Sequence, residues 1–360
     1  MSAAAPRVLV NATSGIGENL LAVPFLRELS RRWPGARVTA AVRFEAAAEL
    51  FARMAPVEEV LVLDTVRYGT PAKLLGLIRR LRASRFDWCF NLVPANKAVK
   101  NVLAMASGAS RIVAHGYDYA PLANLAFLAH KRVPIDTGLH DVEQNLTLLD
   151  AAGARPIGAP DLTIRFPVTE EEQAFARGWI DLAGLPARGV LGLHPGSSME
   201  LGMDAKRWPA ESYIRLAREL EDQRLAVVVF GGSDERELAS ELARRAGGAA
   251  CVGLPLGRLA AMLEACRLVV SNDSFPMHLA AAVGTPVVAL FGPTDPARTR
   301  PWSSASRVVR LELACSPCWN VRGIGRPFRC VNARLFECVR ALPVEQALAA
   351  CREMLAGSPG

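Results

Sequence analysis

The stretch VVSNDSFPMHLAAAVGTPVVALFG, residues 269–292, decides the fold. An apolar run stops at Ser271, and the polar residues Asn272, Asp273 and Ser274 follow. Pro276 then opens a small-residue helix with His278 one turn inside it, and a second apolar run covers Pro286 to Phe291. Two apolar runs of strand length joined by a helix predict neighbouring strands of a parallel sheet buried on both faces. They also place an Asp, a Ser and a His where a strand hands over to a helix.

The same alternation extends in both directions. Strands are predicted at 7–12 (RVLVNA), 36–42, 57–64, 86–93 and 110–116, and again at 189–196, 225–232, 249–254, 267–273 and 286–292. Helical spacing separates them, as in ENLLAVPFLRELSRRW (18–33) and DERELASELARRA (234–246). A chain of 360 residues is long for one core. The segment 166–189 restarts the pattern, so two domains are predicted, 1–165 and 166–360. PVEQALAACREMLAG (343–357) is a closing helix with Pro near its start and Gly at its end.

The composition is that of a soluble globular protein, 51% apolar and 21% charged. Apolar runs broken by Gly and Pro are too short to span a bilayer. The opening MSAAAPRVLVNATSG lacks a cationic segment followed by a long apolar one, so a cytoplasmic protein is expected. The net charge of +7 admits nucleic acid, anionic lipid or a phosphorylated substrate, or simply a modestly basic enzyme. Aromatic residues do not interleave with Lys/Arg runs, which argues against nucleic acid.

Ligands of open α/β sheets bind beyond the carboxyl ends of the strands, and the second half concentrates its polar residues there. His194 to Ser198 with KRWP (206–209), Gly231 to Glu235, Asn272 to Ser274 with His278, and Gly292 to Asp295 follow four of the five strand candidates there. A helix N-terminus offers unpaired N–H groups to a phosphate, and glycines let backbone approach it. Asp273 and Ser274 suit a ligand's hydroxyls or a helix cap, and His278 a phosphoryl oxygen or the core.

These residues resemble those of glycosyltransferase family 9, the lipopolysaccharide heptosyltransferases. The matching segments are GIGENLLAVPFLREL, LHPGSS with KRWP, GGSDE, SNDSFPMHLAAAVGTPVVALFGPTDP and CSPC, which together span nearly the whole chain. The resemblance implies a GT-B fold, two Rossmann-like domains facing each other across a cleft. It implies inverting transfer of a heptose from an ADP-sugar to a lipopolysaccharide core or related lipid-linked acceptor, without a catalytic metal. The N-terminal domain would bind the acceptor and the C-terminal domain the donor, in the cytoplasm or peripherally on the inner membrane.

Carried over by residue, Lys206 resembles the lysine that meets the departing diphosphate, against the plain reading of a solvated surface Lys. Ser197, Ser198, Glu235, Asp273, Ser274 and His278 match donor-binding positions. For Glu235 a ribose hydroxyl competes with a first-turn helix acid. Glu18 stands where the family has its catalytic carboxylate, usually Asp, and is the candidate base; a first-turn acid is the plain alternative. Phe275 replaces the family's usual Gly, so a bulky side chain stands where backbone should meet the diphosphate. Another nucleotide sugar, a protein acceptor, or a non-catalytic nucleotide-sugar-binding module are the competing readings.

Cys315, Cys318, Cys330 and Cys338 form C-x2-C-x11-C-x7-C. That spacing predicts a four-thiolate structural site for zinc or iron, against reduced thiols or a disulfide. Some family relatives, the autotransporter heptosyltransferases, carry a similar iron knuckle. In the first half, residues 71–86 hold Lys73, Arg79, Arg80, Arg82 and Arg85 at helical spacing with apolar residues. Lys97 and Lys100 follow at a strand end as acceptor-binding candidates. Such a face suits an anionic membrane surface or a phosphorylated core sugar, or is simply solvated. The apolar stretch 117–134 suits lipid contact or a buried helix.

Overall fold

In the computed structural model the protein divides into two compact units, Met1–Ile164 and Arg165–Gly360. Residues 5–63, 70–117, 122, 124–185, 189–198, 200–319 and 329–357 are described. Each unit is built on a six-stranded parallel sheet.

The first unit runs β1 (Arg7–Ala12), α1 (Ile16–Leu21), α2 (Val23–Arg32), β2 (Arg37–Val42), α3 (Glu45–Met54) and β3 (Glu59–Val62). It continues through α4 (Pro71–Ala83), β4 (Trp88–Asn91), α5 (Ala98–Ala106), β5 (Arg111–Gly116), β6 (Lys131–Pro134) and α6 (Asp141–Ala151). The strand order is β3-β2-β1-β4-β5-β6. Val8, Leu9 and Val10 of β1 are wholly buried, as a central strand covered on both faces must be. The single helix expected over 18–33 is broken at Ala22, because Pro24 has no N–H to donate back into the preceding turn.

The second unit runs α7 (Glu170–Leu182), β7 (Val190–His194), α8 (Ala210–Glu219), β8 (Ala226–Gly231), α9 (Arg236–Arg245), β9 (Ala249–Val252), α10 (Leu256–Glu264) and β10 (Cys266–Asn272). It closes with α11 (Phe275–Ala282), β11 (Val287–Phe291), α12 (Pro296–Thr299), β12 (Ser306–Arg310), α13 (Glu337–Arg340) and α14 (Val344–Gly357). The order is β12-β11-β10-β7-β8-β9. Its core joins Leu191 and Leu193 of β7 to Trp208, Tyr213 and the α14 residues Ala347 and Cys351.

In both sheets the chain winds outward one way, then returns to build the other half. The reversal falls between β1 and β4 in the first unit and between β7 and β10 in the second. Such points open a crevice at the carboxyl ends of the strands, where α/β sheets bind ligands. No helix among the described residues is long and apolar enough to cross a membrane.

Candidate functional site

At the reversal point of the second sheet, Asn272 ends β10 beside His194, which ends β7. Asn272 is fully buried. Its Nδ2 donates to the carbonyls of Pro195 (2.7 Å) and Gly196 (3.2 Å), while its Oδ1 accepts from the Trp208 N–H and the Tyr213 hydroxyl, both at 3.0 Å. One amide thus holds the loop after β7 and the KRWP turn together. The Tyr213 hydroxyl is shared with the His194 carbonyl (3.1 Å), and burial pushes that phenol's pKa well up. Trp208 locks the other side by donating its indole N–H to the Leu342 carbonyl at 3.0 Å.

That turn delivers two cations. Lys206, at the end of the 3-10 helix Glu200–Lys206, places its ammonium 3.1 Å from Asp273 Oδ2, and both side chains are largely buried. Asp273 therefore does not cap α11. Ser274 occupies the cap position, without a side-chain bond to the helix. Arg207 turns the opposite way and donates to the Ser197 carbonyl (2.6 Å) and to Glu235 Oε1 (3.0 Å).

Glu235 is the second hub. Its Oε2 accepts the Gly232 N–H at 3.0 Å and lies 3.4 Å from His194 Nε2. Burial alone would raise its pKa. His194, the Gly232 N–H and Arg207 outweigh that and hold the carboxyl at about 2. Both oxygens are engaged by protein groups, so Glu235 binds the loops after β7 and β8 together. Gly196 is what permits this: a Cβ there would lie 2.0 Å from Glu235 Oε1. On its other edge, His194 Nδ1 lies 3.0 Å from Ser274 Oγ.

Ser197, Lys206, Glu235, Asp273 and Ser274 thus belong to one cluster, with His194, Arg207 and Asn272 as joints that residue-type reasoning passed over. Their signal was only position, since His194 and Asn272 end adjacent strands. Ser198 is exposed next to Ser197, and His278 is buried on α11. Phe275 is half-buried at the first position of α11 with a negative φ, so the bulky residue causes no backbone strain where Gly was expected. Thr294 lies three residues beyond β11. Its hydroxyl is buried with no partner among the described residues.

In the first unit, Glu18 lies in the first turn of α1 and folds back over the glycine turn; a Cβ on Gly15 would lie 2.5 Å from its Oε2. The two acceptor candidates part company. Lys97 is half-buried, whereas Lys100 is only 1% exposed and donates to Ser14 Oγ (2.7 Å) and the Leu92 carbonyl (3.1 Å). Burial and the nearby Lys97 charge draw its pKa down to about 7 against the opposing pull of Glu18. Lys100 braces the turn that carries Glu18; with its ammonium enclosed, it is not presented to an acceptor.

The four late cysteines share one neighbourhood. Burial, and then the charges of the other three, raise the Cys338 thiol to about 11, and burial with the charges of Cys315 and Cys330 raises Cys318. Phe336 donates its N–H to Cys330 Sγ at 3.2 Å and Asn332 its amide to Cys315 Sγ at 3.5 Å. Yet among the described residues no three His, Cys, Asp or Glu side chains are gathered as a metal ion requires. The segment is stitched to β11. Ser316 Oγ donates to the Gly292 carbonyl, the N–H groups of Cys318 and Trp319 donate to the Pro293 carbonyl, and a Cβ on Gly292 would lie 2.1 Å from Val339 Cγ2.

Comparison with known proteins matches this arrangement to one family. The profile described as "Glycosyltransferase family 9 (heptosyltransferase)" matches residues 74–324. The chain is 29% identical over 321 residues to lipopolysaccharide heptosyltransferase 2 of Escherichia coli K12, covering 85% of this chain and 88% of that one. The crystal structure of a glycosyl transferase family 9 protein from Veillonella parvula superposes with a TM-score of 0.78 at 23% identity, over 99% of both chains. The iron-containing dodecameric glycosyltransferase TibC of enterotoxigenic E. coli shares the fold at a TM-score of 0.62 and 15% identity, over 99% of this chain and 80% of that one.

Proposed function

The chain belongs to glycosyltransferase family 9, and we propose that it is an inverting enzyme moving a heptose from an ADP-sugar to a lipopolysaccharide core or related lipid-linked acceptor. The observation that carries this reading is the buried Lys206–Asp273 pair at the point where the second sheet reverses. A cation set there by the buried Asn272 amide, beside the start of α11, suits a diphosphate whose negative charge grows as the sugar leaves.

In this reading the acceptor hydroxyl oxygen attacks the anomeric carbon from the face opposite the diphosphate. The new C–O bond forms as the bond to the phosphate oxygen breaks, and ADP departs with that electron pair. Glu18 takes the hydroxyl proton. Lys206, the Ser197 and Ser274 hydroxyls and His278 receive the charge on the leaving group, and Glu235 keeps Arg207 and the loop after β7 in place. The second unit is the donor domain and the first the acceptor domain, with Lys97 as an acceptor contact.

A structural zinc or iron ion at Cys315, Cys318, Cys330 and Cys338 is part of the proposal. Burial and the charges of Cys315, Cys318 and Cys330 raise the Cys338 thiol, and Cys315 and Cys330 accept N–H···S bonds; thiols so placed have the chemistry of a set that a cation would close and stabilise. The ion would fold the segment and take no part in transfer.

The test is ADP release by the purified protein with ADP-heptose and a heptose-deficient lipopolysaccharide. Release that depends on the acceptor, with inversion at the anomeric carbon, is expected. Turnover with UDP- or GDP-sugars only would move the donor to another nucleotide. Binding of ADP without turnover on any acceptor would leave a nucleotide-sugar-binding module.

A further inference from the structure

Helix α5 is amphipathic the wrong way round. It buries Lys100 and Asn101 toward the sheet and exposes Val99 (69%), Val102 (40%) and Met105 (48%) at successive three-residue steps. A helix normally turns its apolar stripe inward. This one spends its inner face on bracing the glycine turn, so its apolar residues are left on the surface. Next to it, α4 packs alongside and exposes Leu74 and Leu75, and the 3-10 turn Ala126–Leu128, also against α5, exposes Phe127. Clustered exposed apolar side chains of this size mark a surface that meets something.

The charge of the same span says what. Ten of the chain's 42 Lys and Arg, but only two of its 35 Asp and Glu, fall between residues 71 and 135. This span alone carries more than the whole net charge of +7, and the rest of the chain is nearly neutral. Lys73, Arg79, Arg82 and Arg85 of the α4 region and Lys131 and Arg132 of β6 are all exposed. Arg80 is paired with Glu59 and contributes less. Exposed apolar side chains sharing this span with cations that form no salt bridge among the described residues match a bilayer with anionic headgroups, where the first enter the acyl boundary and the second meet phosphate. A second copy of the chain would bring like charge against like charge on this face.

We propose that the face formed by α4, α5 and the turn Ala126–Leu128 docks the protein on an anionic lipid bilayer. The inference is independent of the sugar-transfer reading, because it rests on the outer faces of elements that hold none of the donor residues. On the membrane this face would bring the Glu18 turn, which α5 braces from behind, next to the layer in which lipid-linked acceptors lie.

The experiment is vesicle flotation of the full chain, with phosphatidylcholine alone and with about 30% phosphatidylglycerol added. The wild type should float only with the anionic vesicles, and less as salt rises. Val102→Ser with Met105→Ser should lower the partition coefficient at least about tenfold, and each of Lys73→Ser and Arg79→Ser about fivefold. All variants should bind ADP in calorimetry as the wild type does, which separates lost docking from lost folding or a failed donor assignment. Equal flotation on neutral vesicles, undiminished flotation of the double variant, or no flotation of the wild type would overturn the proposal. So would dimerisation abolished by the same serines, which would assign the face to a second copy.

Discussion

Lys206 and Asp273, 67 positions apart in the chain, meet through a 3.1 Å ion pair. The pair ties the KRWP turn to the start of α11. Removing the cation with Lys206→Ala should lower turnover about 10²–10³-fold. It also leaves a largely buried carboxylate without its partner, so the melting temperature should fall. Lys206→Arg keeps the pair and should recover stability ahead of rate. Steady-state ADP release and thermal melts on the three proteins check this.

Glu18→Gln keeps size and shape while removing the proton acceptor. Turnover should fall about 10²–10⁴-fold. Affinity for ADP should stay at the wild-type value, because the nucleotide is assigned to the other unit. Calorimetry alongside rate measurements reads both numbers, and a wild-type rate would remove Glu18 from the mechanism.

Glu235 makes stability depend on acid. Its folded pKa, about 2, lies below its ordinary value of 4.5. The native state therefore binds a proton less readily than the unfolded chain does. The stabilisation is complete above about pH 4.5 and is lost as pH falls toward 2, on the order of 2 kcal/mol in all. Denaturant melts at pH 6, 4 and 3 should show the loss in wild type and a shallower one in Glu235→Gln.

Asn272→Ala strips four hydrogen bonds from one buried site and leaves two carbonyls and an N–H without this partner, while the Tyr213 phenol keeps the His194 carbonyl. A cost of about 2–4 kcal/mol is expected. Nucleotide affinity should fall too, since the loop after β7 and the KRWP turn lose their shared anchor. Chemical unfolding and calorimetry with ADP measure the two effects.

Elemental analysis of the protein purified without chelator should find zinc or iron near one per chain. Replacing Cys318 and Cys338 by Ser should abolish it and lower the melting temperature. A metal-free wild-type protein of unchanged stability would leave the thiols as packing residues.

The interior strands were legible because a strand covered on both faces reads as one apolar run, as VLVNA of β1 and VVALF of β11 do. Of the four edge strands, β3 and β9 are legible within 57–64 and 249–254, but β6 and β12 are not. KRVP of β6 and SRVVR of β12 each end a sheet with a neighbour on one side only, so charge and Pro are tolerated and the apolar run disappears. The site divided the same way. Its residues could be found, since they follow strands, but their pairings could not. That Glu235 would be held by His194 and Arg207, or Lys100 enclosed, depends on contacts between remote segments, which single-sequence periodicity does not encode.

Gly292 has Val339 pressed against the position a side chain would take, and Pro293 accepts bonds from Cys318 and Trp319. The tip of β11 and the thiol-bearing strap therefore form one mechanical piece. Oxidant, chelator or alkylating agent acting on the strap will be felt at Thr294, and a ligand seated at Thr294 should in turn slow the reaction of those thiols.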